Sequence, residues 1–139
     1  MSRVFFDTNI FVYTLDQRST EKRAKSIILL NQAVADRSLV TSYQVIQEFF
    51  NVATSKFRRQ LSGTEARRYA ETILWPWCEV GPSPTLFHAA LEIHEDTGWT
   101  YFDSLIVGGA LQAGCETLYS EDLQHGRKFR GLAIRNPFA

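Results

Sequence analysis

The chain has 139 residues, of which 45% are hydrophobic and 22% charged, an ordinary balance for one globular domain with its own core. Basic and acidic residues are equal in number, 15 of each, so any surface that binds nucleic acid has to be local. No signal-peptide core and no apolar run of about 18 residues occurs, which predicts neither secretion by that route nor a membrane span.

The first predicted element is a short apolar strand, 4–6, that ends on the carboxylate of Asp7. Its continuous run of β-branched and aromatic residues is typical of a strand buried on both faces of a parallel sheet. A short helix is predicted next, over 10–15. Open α/β sheets bind ligands at the carboxyl ends of their strands, so Asp7 lies where a functional charge is expected. The alternative is that Asp7 or Thr8 only caps the helix.

Strands and helices alternate along the rest of the chain. Further strands are predicted over 38–41, 78–80, 117–119 and 132–134, and further helices over 19–35, 43–58, 63–75, 83–96 and 102–113. Ser42 is a candidate cap for the helix that it precedes, and Gly114 ends the last helix. The alternation predicts an α/β fold in which a parallel β-sheet is flanked by helices on both faces, in a single domain spanning 1–139.

Three further acids stand out against this scaffold. Glu48 lies beside the apolar face of its helix, Asp103 opens a helix rich in core residues, and Asp122 follows the fourth strand. Each has a simpler explanation, as the polar rim of a helix, a helix N-terminal charge and a turn residue. Taken together with Asp7, however, the predicted strand ends and helix starts can place all four acids in one crevice.

Packed carboxylates resist ionising together unless a cation neutralises them. An all-oxygen acidic site suits a hard cation such as Mg²⁺, or Mn²⁺ where the geometry is less strict, and no His or Cys cluster offers a zinc site. One or two such ions can polarise a phosphate, generate a hydroxide-like nucleophile from water and stabilise the leaving oxygen. The acids therefore indicate hydrolysis of a phosphodiester.

Four segments of the chain resemble the PIN-domain nucleases, and more closely the VapC-type toxins of bacterial toxin–antitoxin pairs. They are Phe6-Asp7-Thr8-Asn9, Gln47-Glu48-Phe49, Tyr101-Phe102-Asp103-Ser104 and Leu118-Tyr119-Ser120-Glu121-Asp122-Leu123, in the family's order and approximate spacing. The resemblance implies a Mg²⁺- or Mn²⁺-dependent endoribonuclease that hydrolyses RNA with a metal-activated water. It also implies an antitoxin that blocks the acidic pocket, and a homodimer.

The resemblance assigns the family's acidic quartet and its polar supports to this chain as Asp7, Glu48, Asp103 and Asp122, with Asn9 and Ser120. The three aspartates are the expected metal ligands, directly or through water. Glu48 is expected to hold a metal-bound water or to act as a base, and the two polar residues to orient carboxylates or water.

Residues outside the quartet carry weaker predictions. Glu121 is expected to point away from the site if its neighbour Asp122 faces it. A basic segment just past the acids supplies candidates for contact with RNA phosphate, namely Arg127, Lys128 and Arg130. Large apolar groups in the third helical segment predict a partly exposed groove for a partner, built on Phe49, Phe50 and Phe57.

Two alternatives from other functional classes remain open. A catalytically inactive PIN-fold module that binds RNA or protein would keep the fold, although the complete quartet argues against it. An aspartyl-phosphate phosphatase or receiver is disfavoured, because the phosphatase needs a second acid where Asn9 stands. Two distant cysteines, Cys78 and Cys115, are typical of reduced core residues in a cytoplasmic protein.

Overall fold

The computed structural model describes residues 2–139, in which the strands form one six-stranded sheet. In chain order, β1 to β6 span Val4–Phe6, Leu39–Ser42, Cys78–Val80, Thr117–Tyr119, Lys128–Phe129 and Leu132–Arg135. They lie in the order β3-β2-β1-β4-β6-β5. Every neighbouring pair is parallel except β5 and β6. The antiparallel β5 was not predicted, because two residues are too few to show a strand pattern.

In the part of the chain that the structure describes, six α-helices connect and cover the strands. In chain order, α1 to α6 span Thr8–Tyr13, Thr20–Ala35, Tyr43–Ser55, Gly63–Tyr69, Pro84–Thr97 and Tyr101–Gln112. Among residues 2–139, no helix combines the length and the apolar character that crossing a membrane requires. The α/β fold predicted from the sequence, with helices around a largely parallel sheet, is confirmed.

The segment after α4 differs from its prediction. One continuous helix was expected as far as residue 75, but α4 ends at Tyr69 and passes into a π-helical turn, Ala70–Leu74, and a 3-10 turn, Trp75–Trp77. Pro76 has no N–H to donate and cannot continue a regular helix. The chain consequently forms a 3-10 turn at this proline and continues directly into β3.

The strand order reverses between β1 and β4. The chain leaves β1 toward β2 and β3 on one side, and returns later to add β4 on the other side. Phe5 and Phe6 of this central strand are completely buried. Ligands of open α/β sheets bind outside the carboxyl ends of the strands at such a reversal. Asp7, the residue after β1, stands at this point.

The prediction of a partner groove built on Phe49, Phe50 and Phe57 is wrong. Phe49 and Phe57 are buried, with 0% and 7% of their surface exposed, and Phe50 is partly buried against the same core. The ring of Phe49 stacks on that of Tyr69 at a centroid distance of 4.6 Å. Helix α4 therefore covers the apolar face of α3 that the sequence alone left without a partner.

Candidate active site

Asp7 is the buried centre of the site, with only 4% of its surface exposed. Its Oδ1 accepts a hydrogen bond from the backbone N–H of Thr8 at 2.7 Å, and its Oδ2 accepts one from the hydroxyl of Ser120 at 2.8 Å. The first bond makes Asp7 the N-cap of α1. The helix-cap reading and the functional reading of Asp7 are therefore compatible.

Burial raises the pKa of Asp7 from 3.8 to about 7, although the hydrogen bonds from Ser120 and Thr8 act in the opposite direction. The charges of Glu48 and Asp122 raise it further. Burial disfavours the ionised form because the protein solvates a charge less well than water does. Near neutral pH a proton or a cation therefore competes for this carboxyl.

Glu48 reaches the site from the second turn of α3. Its Oε1 accepts a hydrogen bond from the hydroxyl of Thr8 at 2.8 Å. Partial burial of the carboxyl raises the pKa of Glu48, as do the charges of Asp103 and Asp122, whereas the bond from Thr8 lowers it. Sequence reasoning missed Thr8 as a member of the site. Its position between Asp7 and Asn9, both of which were predicted to belong to the site, could have indicated it.

Asp122 lies in the loop that follows β4. The Nδ2 of Asn9 donates to both of its carboxylate oxygens, each at 3.2 Å. Its backbone N–H donates to the hydroxyl oxygen of Ser120 at 3.2 Å, so Ser120 contacts two of the acids. Desolvation raises the pKa of Asp122, and the charges of Asp103 and Glu121 add to the effect.

Asp103 occupies the first turn of α6, where its backbone N–H donates to the capping hydroxyl of Thr100 at 3.1 Å. The side-chain amide of Gln44, in α3, donates to the carbonyl of Phe102 at 3.2 Å and ties the two helices together. The charge of Asp103 acts on both Glu48 and Asp122. Hydrogen bonds through Thr8, Asn9 and Ser120 thus link Asp7, Glu48 and Asp122, whereas Asp103 acts on Glu48 and Asp122 through its charge.

The donor set suits a hard divalent cation. All the converging side chains offer oxygen, and within residues 2–139 no ion pair links a basic side chain to any of the four acids. In the same residues, no three His, Cys, Asp or Glu side chains are arranged to hold an ion directly. Mg²⁺ keeps several waters and commonly takes only one or two carboxylates from a protein. The residues present fit such an ion with water completing its shell.

Two of the three residues predicted to contact RNA phosphate have other partners in the structure. The guanidinium of Arg127 lies over the ring of Trp99, 4.6 Å from its centroid. Arg130 forms an ion pair with Asp96 at 2.6 Å, and Lys128 is an exposed residue of the edge strand β5. Their role in binding RNA stays a prediction that these contacts do not support.

Glu121 points away from the acids, as the sequence indicated. Its two carboxylate oxygens accept hydrogen bonds from the hydroxyl of Tyr13 and from Nζ of Lys22, both at 2.6 Å. These bonds fasten the loop after β4 to α1 and α2. Asp122, the next residue, is consequently held between this anchor and Asn9.

A sequence model of the PIN domain matches residues 4–129. No curated protein sequence matches the chain significantly. The family match begins in β1 and includes all four acids.

Solved structures of similar fold include a toxin and toxin–antitoxin complexes. DNA-bound VapBC from Salmonella typhimurium has a TM-score of 0.69 and 15% identity, with 99% of each chain covered. A toxin–antitoxin complex from Klebsiella pneumoniae has a TM-score of 0.67 and 14% identity, covering 96% of this chain and 97% of that one. VapC20 of Mycobacterium tuberculosis, a sarcin–ricin loop cleaving toxin, has a TM-score of 0.60 and 16% identity, covering 86% and 89%. The sequence match over most of its length shows that the chain belongs to the PIN domain family.

Proposed function

We propose that this protein is a divalent-metal-dependent endoribonuclease and the toxin of a type II toxin–antitoxin pair, acting as one PIN-like nuclease domain. The observation that supports the proposal is a group of four acids near the reversal of the strand order, where no ion pair to a basic side chain occurs among residues 2–139. Such a cluster is costly in the absence of a cation, because Asp7 alone has a pKa of about 7. A cluster of this kind is typical of a functional site.

One or two Mg²⁺ or Mn²⁺ ions bound at this site would polarise the scissile phosphate and make an attacking water more acidic. Asp7, Asp103 and Asp122 would hold the ion, directly or through water. Ser120 orients Asp7 through its hydroxyl, and Asn9 orients Asp122 through its amide. The carboxyl groups of Asp7 and Asp122 are thereby held in place before the substrate arrives.

Glu48 is the proposed base. Thr8 donates to its Oε1, which leaves Oε2 to take a proton from the attacking water. The pKa of Glu48 is raised above the usual value for a glutamate and is therefore closer to neutral pH. This suits a group that must accept a proton and release it again. Protonated Glu48 would afterwards return the proton to solvent.

RNA as the substrate and an antitoxin as the partner are supported by similar folds. One similar structure is a toxin that cleaves the sarcin–ricin loop, and others are VapBC complexes. We extend both properties to this chain, together with assembly as a homodimer and a cytoplasmic location. The order of the acids along the chain, which is that of the family, adds weight to this extension.

An inactive PIN-fold module that binds RNA or protein is the second candidate. The observation in its favour is that, among residues 2–139, no three potential ligands are arranged to hold an ion directly. Binding of a divalent ion separates the two candidates. Any ligand of the native state raises stability by mass action, about 2.7 kcal/mol at a hundredfold excess over Kd.

The first experiment is incubation of the protein with total cellular RNA in Mg²⁺ or Mn²⁺, with and without a chelator, followed by sequencing of new 5′ ends. Discrete ends are expected that disappear with chelator and in Asp103→Asn. Asp96→Asn is the matched control, because this exposed acid pairs with Arg130 outside the site. It should leave the same ends as the wild type.

Two results would contradict the nuclease proposal. The first is cleavage that persists unchanged in both Asp7→Asn and Asp103→Asn while the fold is intact. The second is the absence of new ends together with no rise in melting temperature in Mn²⁺. The second result would favour the inactive binding module.

A further inference from the structure

A second concave surface adjoins the acids. It is an open groove of 430 Å³ between α2 and the ends of β4 and β6, named here the α2 groove. Its lining includes Lys25, Ile28, Leu29, Tyr119, His125 and Arg135. Sites for small ligands have volumes of about 300–1,000 Å³. The α2 groove is therefore large enough for a group the size of a nucleotide.

The α2 groove and the acids share one strand end. Tyr119 lines the groove, and its backbone carbonyl accepts a hydrogen bond from the N–H of Asp7 at 3.0 Å. The next residue, Ser120, donates its hydroxyl to Asp7 and its backbone N–H to the carbonyl of Arg135. The loop after β4 supplies Asp122 to the acids and His125 to the groove. The strand end of β4 and the loop that follows it therefore contribute residues to both the acids and the groove.

Two cations at the α2 groove are available to an anion. Arg135 is exposed at the end of β6, in register with Tyr119, and within residues 2–139 no carboxylate pairs with it. Lys25 reaches Glu21 only at 3.9 Å, an exposed pair that contributes little. By contrast, Arg130 is already paired with Asp96. Arg135 and Lys25 can therefore meet a phosphate near the acids.

The remainder of the groove is suited to a flat, partly apolar ring. Ile28 is 67% exposed, and it lines the groove beside Leu29 and the ring of Tyr119. The Nδ1 of His125 accepts a hydrogen bond from the backbone N–H of Asn136 at 2.9 Å, which leaves Nε2 to carry the proton and act as a donor. Stacking on an aromatic side chain is how proteins commonly hold the bases of single-stranded RNA.

We infer that the α2 groove binds one nucleotide of single-stranded RNA, adjacent to the phosphodiester bond that the acids cleave. Its phosphate contacts Arg135 and Lys25, and its base packs on Ile28 and Tyr119. The inference rests on the proposed nuclease function and adds a substrate subsite to it. RNA is favoured over a protein segment because cations, an aromatic ring and a histidine donor converge beside a site for phosphodiester chemistry.

The first test compares Arg135→Ala with Arg67→Ala on an RNA fragment that spans a mapped cleavage site. Arg67 lies on α4 and pairs with Glu71, so Arg67→Ala removes the same charge outside the groove. Arg135→Ala should lower kcat/KM about tenfold, the size expected for loss of a charged hydrogen bond. The loss should appear in KM with kcat within about twofold, because the subsite binds RNA without touching the reacting atoms.

Salt dependence gives this test a second readout. Loss of one phosphate contact should reduce the slope of log KM against log salt by about 0.7, the value for a single strand. Arg135→Lys should retain most of the affinity, since a phosphate recognises the charge. Equal kinetics of Arg135→Ala and Arg67→Ala would overturn the inference while leaving the nuclease proposal intact.

The second test does not depend on cleavage. A photo-crosslinking amino acid replaces Ile28 in the Asp103→Asn background, and the protein is irradiated with total cellular RNA and with cell lysate. The control carries the same amino acid at Leu91, which is 49% exposed on α5. RNA crosslinked at position 28 and not at position 91 supports the subsite. RNA at both positions, RNA at neither, or protein alone at position 28 overturns it.

Discussion

The hydroxyl of Ser120 lies 2.8 Å from Oδ2 of Asp7 and donates a hydrogen bond to it, although the two residues are 113 positions apart. Both side chains are buried where β1 and β4 lie side by side. The same hydroxyl oxygen accepts the backbone N–H of Asp122. One hydroxyl group therefore fixes two members of the acidic cluster relative to each other.

Ser120→Ala should destabilise the protein in a pH-dependent way. At pH 8 the Asp7 carboxylate loses a donor while it stays buried, which should lower the free energy of unfolding by about 1–3 kcal/mol. At pH 5 the loss should be smaller, because the pKa of Asp7 is about 7 and the carboxyl is protonated. Urea unfolding at both pH values, with chelator present, measures the difference.

Ser104→Ala is the matched control for this prediction. Ser104 is also buried, but its hydroxyl donates to the backbone carbonyl of Thr100 at 2.8 Å, an acceptor that does not titrate. Its loss of stability should be the same at both pH values. If Ser120→Ala shows equal losses as well, the bond to Asp7 does not favour the ionised carboxyl.

Asp7→Asn should stabilise the metal-free protein at alkaline pH. Because burial raises the pKa of Asp7 from 3.8 to about 7, the native state binds more protons than the unfolded state between these values. The stability linked to this proton is fully present below the unfolded pKa and is lost as pH rises through the native one. The free energy of unfolding of the wild type should fall by up to roughly 4 kcal/mol as the pH rises over this range. That of Asp7→Asn should not show this fall.

Chemical unfolding from pH 4 to pH 8, with chelator present, measures this dependence of the free energy of unfolding on pH. Asp16→Asn is a control whose effect on stability at high pH should have the opposite sign, because the hydrogen bond from Arg18 lowers the pKa of Asp16. Its wild-type carboxylate contributes stability above the unfolded pKa, so this variant should be less stable at pH 8. A flat wild-type profile would show that the native state does not penalise the ionised form of Asp7.

The sequence was sufficient for the fold because the fold depends on local patterns, and it also singled out four acids as candidates. An apolar run ending on Asp7 marks a buried strand and the edge where ligands bind, and alternating elements indicate a mostly parallel sheet. The order of Asp7, Glu48, Asp103 and Asp122 then matched a known family. The strands, the helices and the motif around each acid can be read within a few neighbouring residues, and their order follows from the sequence.

The failures concern relationships between distant segments. The bond from Thr8 to Glu48 joins residues 40 positions apart, so no local pattern reveals it. The burial of Phe49 depends on α4 packing over α3, which the periodicity of α3 cannot show. The guanidinium of Arg127 lies over the ring of Trp99, a contact that no local pattern reveals, and the role of Arg127 in binding RNA stays a prediction.

Thr8→Val should impair catalysis through Glu48. Valine is close to threonine in shape but cannot donate to Oε1 of Glu48, so the pKa of Glu48 should rise further. We expect kcat to fall on the order of tenfold at neutral pH, equivalent to the loss of one charged hydrogen bond. The acid limb of the pH–rate profile should move to higher pH, because this base must be ionised.

Thr8→Ser separates the hydrogen bond from the fold. Serine keeps the hydroxyl and removes only a methyl group, so its pH–rate profile should follow the wild type. The measurement is the cleavage rate of a mapped RNA fragment from pH 5 to pH 9. Identical acid limbs for Thr8→Val and Thr8→Ser would remove Thr8 from the proposed machinery and weaken the role of Glu48 as base.

Asn9→Asp should make the acidic cluster more dependent on a cation. The amide of Asn9 donates to both oxygens of Asp122 at 3.2 Å, and the new carboxylate would repel them instead. In chelator at pH 8 the variant should lose about 1 kcal/mol of stability, a modest value because Asp122 is exposed. Mn²⁺ should raise its melting temperature more than that of the wild type, since an ion neutralises the added charge and gains an oxygen ligand.

Asn51→Asp adds the same charge on the exposed surface of α3 and serves as the control. It should respond to Mn²⁺ as the wild type does, because a single surface carboxylate binds the ion weakly. A larger Mn²⁺ response in Asn9→Asp alone would locate the ion beside Asp122. Equal responses of both variants and the wild type would mean that Mn²⁺ stabilises the protein elsewhere, which would remove the basis for assigning Asp122 as a ligand.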